Sequence, residues 1–396
     1  MMHRKPLFTL RSIRGGLLMA SSLLFSAAPL LAERDALLQI LLEEGVLTSE
    51  QAAAVEESAT TRVTPNRGAI SELRVRGRIQ PQFGYARGEN AAGQSGDYAT
   101  FEIRRARLGV TGRVGEDWRF VLEANTTPSD VNLQFASLRW EAFPEANLVL
   151  GFDRPVFGYE IYTSSAFLLT PERSNLSATF LPSSRISLTG AQIQGTSHGF
   201  RYSAGIYNSD LAVNESGESA RFLFGGHIGR DLPEWGGVQQ EVRFDYLQNE
   251  REDRGLLGVN RAFSASHRLV VGSFENRSEG IWGESFGGDD VAGFYLMPTW
   301  SLNEQWQLVA RYENIRSWYT GGLAAPNRYL RRIDVPGGAP RGDRYEALYG
   351  GINYYIMGHD LKMQWGVEWS DLEDTRSGEG QEIKGLTTYG AMRMLF

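Results

Sequence analysis

The chain has 396 residues, 45 of them glycine, with 11% aromatics, no cysteine and a formal net charge of −7. The missing thiols exclude disulfides, thiolate catalysis and cysteine metal sites, and the acidity argues against a nucleic-acid partner. Nothing after residue 32 approaches the ~20 apolar residues of a membrane helix, yet a β-barrel remains open, because its strands show lipid only every second residue.

Residues 1–32 have the layout of a secretory signal peptide. Arg4, Lys5, Arg11 and Arg14 precede an apolar run over 17–31, and Ala32 stands before Glu33-Arg34-Asp35. Cleavage is placed after Ala32, with Ala28 as the alternative. Removal of this leader leaves 36 basic against 47 acidic residues, or −11.

Residues 33–70 read as a short helical hairpin and linker. Leu37, Leu38, Leu41 and Leu42 form one helical stripe, and Gly45 suits a helix C-terminus. Thr48 opens a second helix, with Gln51 as its capping-box partner. Pro65 and Gly68 mark the linker. Such a hairpin cannot bury its leucines alone, so it tethers a periplasmic partner, self-associates or serves as a plain linker.

From residue 72 the period changes from 3.6 to 2. Leu73, Val75, Ile79, Phe83 and Tyr85 share one face, opposite Arg74, Arg76, Arg78, Gln80 and Gln82. The same alternation returns over 241–246 and 361–370, in strands long enough to span a bilayer. Short links are expected at 115–117, 143–147, 196–199, 231–237, 301–304 and 357–360. Longer ones are expected at 87–97, 154–184, 209–220, 250–254, 276–290, 318–343 and 371–383. The fold class is therefore all-β: a transmembrane antiparallel β-barrel of about 16 strands over 71–396. Eighteen strands are the alternative, because residues 255–274 are hard to divide. A soluble propeller would need blade repeats, which the sequence lacks. The closing strand, 386–396, ends on the aromatic Phe396, as outer-membrane barrels commonly do.

Arginine carries the chemistry. Arg74, Arg76 and Arg78 form a column with ~7 Å between neighbours at strand rise, and the next strand adds Arg104, Arg105 and Arg107. Stacked like charges need carboxylates, such as Glu102 and Glu123, or a passing anion. In the first case they brace the wall; in the second they conduct. The link 154–184 is too long for a passive connection and is expected to fold inward as a constriction. It would bring Arg154, Ser164, Ser165 and Arg173 as ligands for an oxyanion. His198, His227, His267 and His359 lack metal-ligand spacing. Acidic pairs at 289–290 and 371–374 are weak candidates for Ca²⁺. No nucleophile, base and orienter are nominated together, so no enzyme activity, cofactor or metal is expected.

Several segments resemble the phosphate-selective porin O and P family of outer-membrane barrels. They are Gly77-Arg78-Ile79-Gln80, Arg104 to Gly112, Leu150-Gly151, Pro155-Val156-Phe157-Gly158-Tyr159-Glu160, Ser164-Ser165 and Glu172-Arg173-Ser174. All lie in the first half of the mature chain; the second half shares only strand rhythm and the terminal Phe396. The resemblance implies a sixteen-stranded homotrimeric pore in the bacterial outer membrane. Arg104 and Arg105 would line its path, and Ser164 and Ser165 its constriction. Strict phosphate selectivity in the family leans on a constriction lysine. This chain has none between Lys5 and Lys362, and Ile161 stands near the expected position. The expected function is passive diffusion of small, preferentially anionic solutes, phosphate among the candidates. The competing expectation is a structural barrel anchor whose N-terminal helices tether a periplasmic partner.

Overall fold

The computed structural model describes residues 70–128, 130–143, 145–180, 187–209, 221–250, 259–285, 290–319, 321–334, 339–376 and 381–396. The leader and the helical hairpin lie outside them. In chain order the strands open with β1 (Ile70–Asn90), β2 (Ser95–Val114), β3 (Trp118–Thr127), β4 (Asp130–Phe143) and β5 (Ala146–Asp153). Next come β6 (Leu188–Ser197), β7 (Phe200–Asn208), β8 (Phe222–Trp235), β9 (Val238–Asn249) and β10 (Val259–Val271). The series ends with β11 (Phe274–Ser285), β12 (Asp290–Ser301), β13 (Trp306–Ser317), β16 (Arg344–Met357), β17 (Leu361–Glu373) and β18 (Ile383–Leu395). These sixteen form one closed antiparallel barrel, and β14 (Leu323–Ala324) pairs with β15 (Arg341–Gly342) as a separate ribbon.

Closure occurs between β1 and β18. Gly77 N donates to Phe396 O at 2.6 Å, and Phe396 N donates to Gly77 O at 3.2 Å. The Phe396 ring lies where a side chain on residue 77 would stand: a Cβ there would meet it at 2.2 Å. The last residue is thus part of the seam.

Alternation sorts the side chains as a lipid solvent requires. Phe101 (85% exposed), Val131 (77%), Leu108, Leu122, Phe244 and Leu348 all face outward. Trp118, Trp140, Phe143, Trp235, Phe274, Trp300 and Trp306 gather beside the short turns, as an interfacial girdle does. The inward face carries Gln80, Arg105, Glu123, Arg243, Glu279, Arg311, Glu313, Lys362, Glu368 and Arg393, all buried.

Two expected links are corrected. Residues 276–285 belong to β11 rather than to a loop, because its inward residues Glu275, Arg277 and Glu279 face polar or small outward neighbours Asn276, Ser278 and Gly280. With both faces polar, period 2 leaves no hydropathy signal. The link at 87–97 contracts to 91–94, since β1 and β2, at 21 and 20 residues, continue past the apolar band. The short turn hidden in 255–274 falls at Gly272, whose φ of 57° suits glycine.

Candidate functional site

The link between β5 and β6 folds into the lumen and carries two short helices, α1 (Tyr159–Tyr162) and α2 (Asn175–Phe180). Val156, Phe157, Ile161, Leu168, Leu169, Leu176 and Phe180 are buried to 3% exposure or less. Their burial supplies an apolar reason for the loop to leave water. Wall carboxylates satisfy its helix starts. Glu279 accepts from Tyr159 N at 2.7 Å and Glu160 N at 3.2 Å, and Glu313 accepts from Leu176 N at 3.0 Å. A carboxylate at unpaired helix N–H groups is favourable in both hydrogen bonding and dipole.

Wall cations hold the loop backbone from the other direction. Lys362 Nζ donates to Leu168 O at 2.8 Å. Arg393 donates to the carbonyls of Ala166, Leu168 and Pro171 at 3.2–3.4 Å. Lys362 also meets Nδ1 of His359 at 3.0 Å. Burial, then the charge of Lys362, pushes that turn histidine down to about 4.

Arg104 and Arg105 are sequence neighbours, so regular alternation would point one of them at lipid. The pairing of β1 with β2 slips by one residue opposite Pro81: Gln80 faces Arg105 and Pro81 faces Ile103. Pro81 offers no N–H to the ladder, and the slip leaves Arg104 as the extra residue of a β-bulge. Both arginines then turn inward and reach Glu172 of the loop. Arg104 binds it through Nε at 2.5 Å and Nη2 at 2.9 Å, while Arg105 stands at 3.6 Å and also donates to Gln80 at 2.8 Å. Burial alone would raise the Glu172 carboxyl, but Arg104 and Arg105 outweigh it and hold it far below the usual carboxylate range.

The other nominated residues separate into groups. Arg76 at 2.6 Å and Arg107 at 3.3 Å share Glu123, and Arg74 pairs with Glu72. Arg76 and Arg107 thus have a carboxylate partner in Glu123. Glu102 serves another partner. Arg78 donates to Ser165 and, at 3.3 Å, to Ser164. Among the described residues no carboxylate lies within ion-pair distance of Arg78. Arg154 donates to the carbonyls of Ile161, Tyr162 and Thr163 at 2.7–3.3 Å, and Arg173 to those of Glu160 and Thr163 at 3.0 and 2.6 Å. Both thereby shape the loop. Burial and neighbouring arginines press both guanidinium groups below their ordinary value. Guanidinium keeps its proton even so.

The long link between β13 and β16 was not nominated, yet it too turns inward. Arg328 reaches Glu102 through Nε at 3.0 Å and Nη2 at 2.6 Å, and Tyr329 OH donates to the same carboxylate at 2.8 Å. Arg331 is lowered by burial, then by Arg328, Arg332 and Arg104, which places this turn opposite the bulge on β2. The signal available in sequence was the apolar trio Tyr329, Leu330 and Ile333 inside a long polar loop.

Together these elements enclose a cavity of about 400 Å³. Eight arginines line it (Arg104, Arg105, Arg107, Arg154, Arg173, Arg328, Arg331 and Arg332) against three carboxylates, Glu102, Asp130 and Glu172. Five of the eight are among the residues nominated from sequence; Arg74, Arg76, Arg78, Ser164 and Ser165 lie outside its lining. Among the described residues no group of three or more acidic or histidine side chains is arranged to hold a metal ion.

Comparison with known proteins places this geometry. The family model of phosphate-selective porin O and P matches residues 73–224, which carry the bulge and the first inward loop. Porin O of Pseudomonas aeruginosa is 27% identical over 311 residues, 74% of this chain and 65% of its own length. The alignment thus spans just under two thirds of that relative. An anion-selective porin from Comamonas acidovorans superposes with a TM-score of 0.57 at 11% identity, over 82% of this chain and 99% of that one. The outer-membrane channel DcaP of Acinetobacter baumannii gives 0.54 at 12%, over 84% and 99%. OmpT of Vibrio cholerae, in a trimer form, gives 0.53 at 11%, over 82% and 99%. At such identities the solved structures speak for the fold. The sequence match lies on β1–β7 and the first inward loop, so this part of the chain is similar to the phosphate-selective porin O and P family, and the closed barrel is that of a protein of the bacterial outer membrane.

Proposed function

We propose that this chain is a passive outer-membrane porin for small anions, with its selectivity set in the arginine-lined cavity. The observation that carries the reading is the imbalance of eight arginines against three carboxylates around that cavity. Two like charges ~7 Å apart repel by about 2 kcal/mol at an effective dielectric near 20. A passing anion relieves that repulsion, while a cation meets it unrelieved. Glu172 and Glu102 each neutralise part of the ring, so binding stays weak enough for release, as conduction requires. The similarity to Porin O supports a porin, and that to the anion-selective porin of Comamonas acidovorans agrees with the preference for anions. Phosphate is one candidate solute, and a homotrimer, as in the trimeric OmpT form, is the proposed assembly. Arg74, Arg76, Arg78, Ser164 and Ser165 extend the proposed path beyond the cavity.

The test is the reversal potential of purified protein in a planar bilayer under a potassium chloride gradient. It is expected to lie on the chloride side of zero. A value on the potassium side overturns the proposal.

A further inference from the structure

The two inward loops meet the wall at one buried carboxylate. Glu368, on β17, is 1% exposed. Its Oε1 accepts from Asn175 of the β5–β6 loop at 3.1 Å and from Asn327 of the β13–β16 loop at 2.5 Å. Its Oε2 accepts from Arg311 at 3.1 Å. Arg311 in turn donates to Thr170 Oγ1 at 3.1 Å and to Glu172 O at 3.4 Å in the first loop. Neither Glu368 nor Arg311 lines the cavity.

Asn327 passes this constraint to the second loop. Its Oδ1 accepts from Tyr329 N at 3.0 Å and Leu330 N at 2.9 Å, closing the turn that presents Arg328, Arg331 and Arg332. The Tyr329 ring occupies the space beside Gly84, where a Cβ would meet it at 2.3 Å. A glycine without a side chain there gives the loop its berth.

We infer that Glu368 is a positioning residue that seats both loops, and that the β13–β16 loop is a second selectivity element facing the first. The selectivity half rests on the porin reading above; the seating half does not. One buried carboxylate bonded to both loops makes their positions interdependent. Moving either should widen the passage and separate the arginines that face each other across the cavity.

The experiment measures unitary conductance and reversal potential for the full chain in planar bilayers, with barrel folding checked by heat-modifiable gel mobility. Asn327→Ala cuts the second loop's link and leaves the first loop's. Its expected effect is higher conductance, with the reversal potential shifted toward zero. Glu368→Ala should raise conductance further, and adding Asn327→Ala to it should change less than Asn327→Ala does alone, because the shared seat is already gone and only the turn-closing bonds of Asn327 remain to be lost. Glu368→Asp, which keeps the charge, should recover part of the wild-type conductance. A merely structural glutamate would give neither the non-additivity nor the shift in ion preference. Wild-type conductance and reversal potential in Asn327→Ala overturn the inference, as do effects of the two alanine substitutions that simply add. Should Glu368→Ala not fold, Asn327→Ala decides alone. If wild-type protein prefers cations, the porin reading fails, whereas the seating is still judged by the conductance of Asn327→Ala.

Discussion

At the scale of single residues, Glu172 is the loop carboxylate that meets the arginines of the cavity. It is the carboxylate that both Arg104 and Arg105 face, so its loss should leave those cations unbalanced while other contacts keep the loop in place. Glu172→Gln is expected to shift the reversal potential further toward the chloride value. A shift toward potassium would show that the carboxylate matters more for holding arginines in place than for cancelling them. The pH dependence follows from the same contact. Glu172 is depressed below its unfolded value near 4.3, so its ion pairs stabilise the loop fully above that value and lose effect only as pH falls through the lowered one. His359, lowered to about 4, is neutral over the same range. The charges of Glu172 and His359 should therefore stay constant from pH 8 to pH 5, so the difference in reversal potential between wild type and Glu172→Gln should be level over that window. A step in that difference, measured on single channels, would contradict the assignment.

Among the elements, the bulge on β2 has the clearest testable consequence. Deleting Arg104 would restore an unbroken ladder opposite Pro81 with Ile103 still outward and Arg105 still inward. The barrel is expected to fold, as read by heat-modifiable mobility, and to lose part of its anion preference. A deletion that blocks folding would mean the bulge is needed for curvature or register instead. The bulge also marks what period-2 reading delivers. Alternation accounts for Arg105 and Arg107 in the lumen but not for Arg104, which the sequence pattern put beside them, and only the slipped register explains how Arg104 joins them. The first loop was legible because it is long and partly apolar. The second has a similar character over Tyr329 to Ile333, yet its arginines gain meaning only from facing Arg104 across space. Glu368 was legible as an inward residue of β17; that two loops 152 residues apart, at Asn175 and Asn327, converge on it was not.

For the whole molecule, a ring of fixed charge inside a low-dielectric wall focuses field along the lumen. The anion preference should weaken between 0.1 M and 1 M salt, as the Debye length falls from ~10 Å to ~3 Å. It should not vanish, because most of the arginines are partly buried. A permeability ratio independent of salt would point to size exclusion as the dominant filter. Sixteen strands, the lipid-facing band and the closing Phe396 were readable because a membrane imposes strict alternation. The β11 region was not, since it carries polar residues on both faces.

The grip of Lys362 and Arg393 on the first loop falls on the main-chain oxygens of Ala166, Leu168 and Pro171. A clasp that reads peptide oxygens is indifferent to the side chains between them. Phe167, half exposed among them, could therefore be exchanged without loss of anchorage, whereas Leu168, Leu169 and Thr170 are fixed by their own burial as well.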